Sequence, residues 1–523
     1  MALVGMLRSA GITPSLFALG PSALLVARQV MQHLPSGQGA SVPPTGPAIS
    51  SSSSSSSAHP NSSRPLPPPP PPSEASVLIV DRSLDLVAPS LTTDHPLDAL
   101  FAADAAASKM ARAPSRPPSP AVSPERTLEA KLPPPPPPAM PRPPLPLSLI
   151  QAVSSSEPAC AALLDTVLTR RGKEVNTQLL KALASIADEL DDDDDVSLPT
   201  RPTGEALRSL LEKLQSAPRI GVERLPDLEA IGALLEASDA AAASNTLREV
   251  VSHQKVLQHT ASESTAAAFT ELITLAARAH TPRRAPSDDP STPSTPSDVS
   301  AAAPLGMQAL VPLLGMFYSL AGSGVVGSAA LEEHEQRLRE GLLQACLRDP
   351  ACGGLLSPNA PLVSIDELSG EQIMQRRNRL AAALSTIFDR LRAFAAARRG
   401  LGSSQALLLS SAQTTGEVYR PLLRYVLERA FRHEEIPEMI RLSASIGSLF
   451  SRGANLLGVK ARARLTDHRT IILFVVGGIS LGELRELRQL IAQHPKHRLL
   501  LGATQIASPD FVWELLTASV HVR

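Results

Sequence analysis

The chain has 523 residues, a formal net charge of −1, 43% hydrophobic residues and only 3% aromatics. Near-neutrality excludes a global field drawing the chain to nucleic acid, and 50 prolines beside 29 glycines exclude a fold that is regular throughout. Alanine, leucine and valine must supply any core, which suits helices joined by Pro/Ser loops and disfavours an all-β sandwich. Cys160, Cys346 and Cys352 form no CxxC and cannot all pair, as expected of a reducing compartment. The histidines form neither HExxH nor a Cys/His cluster, so no zinc site is expected.

Residues 1–35 contain SLFAL, 15–19, which reads as a strand. PSALLVARQVMQHL follows and reads as a helix with Pro21 and Ser22 at its start. No acid precedes Glu74 while Arg8 and Arg28 do, so an organellar transit peptide is the alternative reading. Residues 36–74 are a Ser/Pro-rich linker expected to be disordered, ending in a proline run within 65–72. The segment 75–111 opens with the apolar run SVLIV, 76–80, which ends at Asp81. A second Pro-rich linker spans 112–146, with polyproline at 133–138. Both runs suit polyproline II, and either is a candidate ligand for SH3-like or profilin-like grooves.

Residues 147–410 read as a mostly helical block, with helices within 159–189, 203–216 and 227–280. Asp191–Asp195 is a charged loop without the spaced ligands of a calcium site, and 281–304 is a flexible insert. The uncharged run between Asp298 and Glu332 is long enough to span a bilayer, but Pro304, Pro312 and its glycines favour a buried helix from about Gln308 to Ala321. Glu335 and Arg339 then form an i,i+4 pair. The helix 370–399 opens on a capping box of Ser369 and Gln372 and is followed by Gly400. Leu380, Leu384, Ile387, Leu391 and Phe394 form its apolar stripe. Arg376, Arg377, Arg379, Arg390, Arg392, Arg398 and Arg399 read as a solvated basic face.

Residues 411–523 return to strands: TIILFVV, 470–476, before Gly477-Gly478, and RLLLGA, 498–503. Continuous apolar strands alternating with helices predict a parallel sheet covered on both faces. The fold class is therefore α/β plus α: a discontinuous parallel-sheet domain carrying a large helical insertion and disordered Pro/Ser-rich inserts. Ser480 and Glu483 fit a capping box, and Ser508 with Pro509 opens the final helix. Gly478-Ile479-Ser480-Leu481-Gly482 also matches G-x-S-x-G, with Asp510 and His521 following in hydrolase order, so an α/β serine hydrolase using Ser480 is an alternative function. Too little chain follows the serine to carry the usual acid and base strands. Asp81, Arg82 and Asp85 lie after a strand where Mg²⁺ and phosphate could bind, although loop-fixing Asp–Arg pairs are commoner.

Taken together, the motifs resemble a family. SVLIVDRSLDLVAPSL, with Asp81, Arg82, Asp85 and Pro89, resembles the DRxxD segment of the SM (Sec-one/Munc-eighteen-like) family of SNARE-binding vesicle-trafficking proteins. EVYRPLLRYVLERAF, with Tyr419 and Pro421, is similar to its Y-x-P-L helix, and LVPLLGMFYSLAGSG to its apolar helix before a glycine turn. The closing segment matches at Phe474, Gly477, Gly478, Glu483, Thr504 and Pro509, with Ser480 where threonine is usual. A divergent branch, the Sec-one family domain-containing proteins, is the nearest likeness. The resemblance implies no catalytic residue, no metal and no cofactor, with the motif residues serving structure. It implies binding of SNARE/syntaxin helices, with a hairpin at roughly 160–280, and promotion or proofreading of membrane-fusion complexes. A tethering complex is a further implied partner. A cytoplasmic location is expected, with endomembranes reached indirectly through a partner. Residues 1–35 already resemble the segment before the DR motif, so the family's syntaxin-gripping first domain is expected to be missing. A trafficking scaffold acting through its polyproline runs is the remaining alternative.

Overall fold

The structure, a computed structural model, describes residues 2–34, 73–93, 95–99, 163, 166–168, 170, 172–189, 198–217, 224–279, 305–322, 329–349, 352, 365–398, 401, 419–442 and 464–518. Both polyproline runs, Asp191–Asp195, the insert 281–304, Cys160, Arg399, Gly400 and His521 lie outside these residues. The chain forms two compact units. The first comprises Met1–Arg82, Val426–Gly478 and Ile491–Thr504, and the second Ser83–Tyr425, Ile479–Leu490 and Gln505–Arg523.

The first unit is built on a sheet. Its elements are α1 (Ala2–Ser9), β1 (Ile12–Leu19), α2 (Pro21–His33), β2 (Ser73–Asp81), β3 (Ile440–Leu442), β4 (Thr470–Val476) and β5 (Arg498–Ala503). The strand order is β3-β1-β2-β4-β5. β1, β2, β4 and β5 pair in parallel, and β3 pairs antiparallel with β1 at one edge. The expected parallel sheet is thus a mixed one, because the three-residue IRL strand is too short to show an apolar run. Val77, Leu78, Ile79 and Val80 of β2 are fully buried, as a strand covered on both faces requires. β1 is paired on both sides, so residues 12–19 are part of the folded sheet.

The second unit is helical: α3 (Val87–Ser90), α4 (Gly172–Ala187), α5 (Gly204–Ser216), α6 (Leu225–Ala243), α7 (Asn245–Glu263), α8 (Thr265–Ala279), α9 (Met307–Ala321), α10 (Ala329–Arg348), α11 (Gly370–Arg398) and α14 (Pro509–Thr517). Two helices carry residues of both units: α12 (Leu422–Phe431) and α13 (Leu481–Ala492). The uncharged segment forms α9, buried along almost its whole length and stopped by Gly322 at φ 50°. Among the described residues no helix is long and apolar enough to cross a membrane. Phe269 of α8 packs edge-to-face on Phe317 of α9, centroids 4.8 Å apart.

Residues 83–99 and the last helix, which the sequence reading grouped with the sheet, belong to the helical unit. The cause is apolar packing: a Cβ on Gly315 of α9 would lie 2.9 Å from Val512 of α14, and Leu481 shares a cluster with Leu183, Leu210 and Ile231. The expected basic face of α11 is also largely spent inside the fold. Arg398 is fully buried and donates to the Ser319 hydroxyl at 2.8 Å. Arg390 donates to the carbonyls of Leu515 and Leu516 at 2.9 and 3.0 Å, closing the end of α14. Arg392 grips Glu335 of α10 and Arg376 reaches the Asp349 carbonyl, which leaves Arg377 and Arg379 exposed.

Candidate functional site

In the first unit the motif residues are Asp81, Arg82, Phe474, Gly477, Gly478 and Thr504, and in the second Asp85, Pro89, Tyr419, Pro421, Ser480, Glu483 and Pro509. Asp81 ends β2, is buried, and accepts the Ser22 N–H at 2.8 Å. Gly20, the residue before α2, provides no capping side chain, so Asp81 supplies from a distance the acceptor that an N-cap residue normally gives. Arg82 is buried and lies against Gly477, where a Cβ would sit 2.7 Å from the Arg82 Cβ. Gly477 and Gly478 have φ of 101° and 102°, so this turn needs glycine for conformation and for the close approach. The Thr504 hydroxyl accepts the Gly477 N–H at 3.0 Å, tying the turn after β4 to the end of β5. Phe474 packs on Gly502, its register partner in β5, where a Cβ would be 2.9 Å from the ring.

Asp85 is the hub of the second unit. Fully buried, it accepts N–H groups from Val87 at 3.0 Å and Leu422 at 3.1 Å, and the Tyr419 hydroxyl. The DRxxD segment is thereby locked to the Y-x-P-L segment. Burial first, and the Asp85 charge second, push the Tyr419 phenol well above its ordinary pKa, so it stays a donor. Ser319 of α9 joins the same region, accepting from Leu86 N–H at 3.1 Å and from Arg398. Pro89 is buried within α3, and Pro421 lines the cleft described below.

Ser480 and Glu483 form a complete capping box. Glu483 N–H donates to the Ser480 hydroxyl at 3.3 Å, and Ser480 N–H and Oγ–H both donate to the Glu483 carboxylate at 3.0 Å. Both residues are buried. The hydroxyl is thus engaged with the carboxylate that caps its own helix, as the capping-box reading expects, while His521, the candidate base of the hydrolase reading, lies outside the described residues. Ser508 accepts the Phe511 N–H at 3.4 Å, with Pro509 at the first turn of α14.

A cleft of about 740 Å³ lies within the second unit, bounded by the segments after β2, β4 and β5. Its walls hold the ion pairs Arg485–Asp98 at 3.0 Å and Arg424–Glu486 at 3.3 Å. His95 lines it with both ring nitrogens engaged: Nδ1 accepts Leu97 N–H at 3.2 Å, so Nε2 carries the proton toward the Arg170 carbonyl at 3.2 Å. Burial and then the Arg485 charge lower the His95 pKa, with Asp98 opposing. Among the described residues, His95 and Ser480 in this cleft are each held in hydrogen bonds to their own or neighbouring segments. The Asp81 and Asp85 carboxylates serve backbone amides, which argues against the Mg²⁺ reading, and among the described residues no cluster suited to a metal occurs. Sequence reasoning missed Arg398, Ser319 and His95. A lone arginine on a basic face carries no mark of burial, and single Ser and His residues carry no pattern.

No family model matches the chain. Among curated proteins it is similar to Sec1 family domain-containing protein 2 of Homo sapiens, 27% identical over 214 residues, covering 40% of this chain and 30% of the relative. It is likewise similar to Sec1 family domain-containing protein MIP3 of Arabidopsis thaliana, 27% identical over 149 residues, 27% of this chain and 18% of the relative. The matches thus span less than a third of these relatives' own length. Among solved structures it aligns with the SM protein Vps45 in complex with the Qa SNARE Tlg2, 12% identical, covering 99% of this chain and 69% of that one, at a TM-score of 0.41. The resemblance read from the motifs is met by relatives named for the same domain.

Proposed function

We propose that this chain, a divergent relative of the SM proteins, is a non-catalytic regulator of vesicle-mediated transport that binds SNARE helices through its helical unit. The observation that carries the reading is the use of the motif side chains. Asp81, Asp85, Ser480 and Glu483 are all engaged with backbone amides, so the chemistry-bearing residues of the resemblance build a scaffold. What such a scaffold offers a partner is helix surface. Val256 of α7 is 42% exposed and Met374, in the sparsely packed first turns of α11, is 54% exposed. Apolar side chains of this kind supply anchor points for an amphipathic helix. Holding SNARE helices in register would lower the entropic cost of assembling their bundle.

The test compares binding of a syntaxin N-terminal peptide, a single SNARE helix and the assembled four-helix bundle. The single helix and the bundle should bind, and Val256→Glu with Met374→Glu should weaken both. Absence of all three interactions would overturn the reading.

A further inference from the structure

The turn between α13 and β5 reads His494-Pro495-Lys496-His497-Arg498. Phe431, the last residue of α12, stacks on the His494 ring with centroids 4.0 Å apart and planes 14° apart, and lies 5.3 Å from His497. His497 Nδ1 is 3.3 Å from the His468 carbonyl, and Arg498 N–H donates to the Arg469 carbonyl at 2.8 Å. His468 in turn contacts Ser15 of β1 at 3.1 Å and Glu74 of β2 at 3.4 Å. These contacts draw the end of α12, the turn before β4 and the turn before β5 onto one edge of the first unit, where β2, β4 and β5 begin.

Arg432, Arg469, Lys496 and Arg498 are all exposed on these segments, and among the described residues none of the four holds an ion pair. The acids near these segments include Glu74, beside His468, Asp467, which accepts the Arg464 N–H at 2.6 Å, Glu434, which pairs with Arg429, and Glu435. Among the described residues the exposed large apolar side chains of this unit are Met6, Leu25 and Ile440, none of which belongs to the turns that build this edge. A protein partner is usually gripped by an apolar or aromatic centre with a charged rim. The rings at this edge, Phe431, His494 and His497, stack on one another and are only partly exposed, so the four exposed cations on these tied turns carry its surface chemistry, which fits a diffuse sheet of negative charge.

We propose that this edge of the sheet is an electrostatic docking surface for an anionic membrane leaflet, which the chain contacts directly. Exposed cations near such a surface each strengthen attachment severalfold, and the attraction decays within a Debye length. The inference does not depend on SNARE binding, because it is read on lipid alone.

The experiment is co-sedimentation of the full chain with vesicles of phosphatidylcholine alone and of phosphatidylcholine with phosphatidylserine, at low and high salt. Binding should require phosphatidylserine and fall with salt. Arg432→Gln, Arg469→Gln, Lys496→Gln and Arg498→Gln together should reduce it on the order of a thousandfold. Arg377→Gln with Arg379→Gln, on the exposed turns of α11, should leave it unchanged. Melting curves of both variants establish that they fold. The proposal is overturned if phosphatidylserine confers no binding, if both variants lose binding alike, or if duplex DNA or an acidic peptide displaces the chain at lower charge concentration than the vesicles hold it.

Discussion

Asp85 and Glu335 are buried to the same degree, 0% and 4% exposed, and each accepts a tyrosine hydroxyl. Around Asp85 stand backbone amides, from Val87 and Leu422. Around Glu335 stand guanidinium groups: Arg392 in a two-pronged pair at 2.5 and 3.1 Å, and Arg339 at 2.7 Å. Arg339 also lies over the Phe388 ring, 4.7 Å from its centroid. The Tyr318 phenol is pushed well above its ordinary pKa by burial and then by Glu335, as Tyr419 is by burial and Asp85. The same carboxylate chemistry thus fixes chain path in one place and helix packing in the other. Amides cannot move away from a lost acceptor, whereas the partly exposed Arg392 side chain can swing to water.

That difference sets the expected sizes. Asp85→Ala leaves the Val87 and Leu422 amides and the Tyr419 hydroxyl without their acceptor, and should cost about 4 kcal/mol, the sum of unsatisfied buried donors less some relaxation. Chemical denaturation monitored by tryptophan fluorescence measures it; a loss below about 1 kcal/mol would show that the segment re-pairs. Glu335→Gln retains an acceptor for Tyr318 but loses the charge. With the Arg392 side chain 40% exposed and free to rehydrate, about 2 kcal/mol is expected. Equal costs for the two variants would erase the distinction. Ser480→Ala removes one cap acceptor and should cost about 1 kcal/mol, with the SNARE-helix binding proposed above retained. Labelling of Ser480 by a serine-directed inhibitor would instead revive the hydrolase reading.

The sheet was the more legible half. The apolar runs 77–80 and 471–476, ended by Asp81 and by Gly477-Gly478, marked where β2 and β4 end, whereas β2 begins at Ser73, inside the segment 36–74 that reads as a linker. Local caps were legible for the same reason: Ser369 with Gln372 and Ser480 with Glu483 are four-residue patterns that the structure reproduces. What joins distant segments was not. Asp85 meeting Tyr419, and Arg398 meeting Ser319, depend on helix placement that no local pattern encodes. β3 was invisible because three residues cannot show a period, and the arginines of α11 misled because helical periodicity assigns a face but not the neighbour that covers it.

The smallest effect should come from a single proton on His95. Its environment combines both kinds of support seen at the two carboxylates: a backbone donor at Nδ1, a backbone acceptor at Nε2, and the Arg485–Asp98 pair beside it. Burial and Arg485 hold its pKa below the usual histidine value. The folded state therefore favours the neutral ring, and the unfolded chain takes up the proton first as pH falls. Its contribution is full above the unfolded value of about 6.5 and is lost as pH drops from there toward the lowered folded value. Protonating Nδ1 also removes the acceptor of Leu97 N–H, so the 95–98 segment should loosen first. Melting temperatures of the wild type and His95→Gln, compared from about pH 7.5 to about pH 5.5, isolate this group from the other histidines. The wild type should lose stability more steeply on acidification than the variant. Parallel curves would mean that the ring is no part of the wall's stability and that the Arg485–Asp98 pair holds the segment alone.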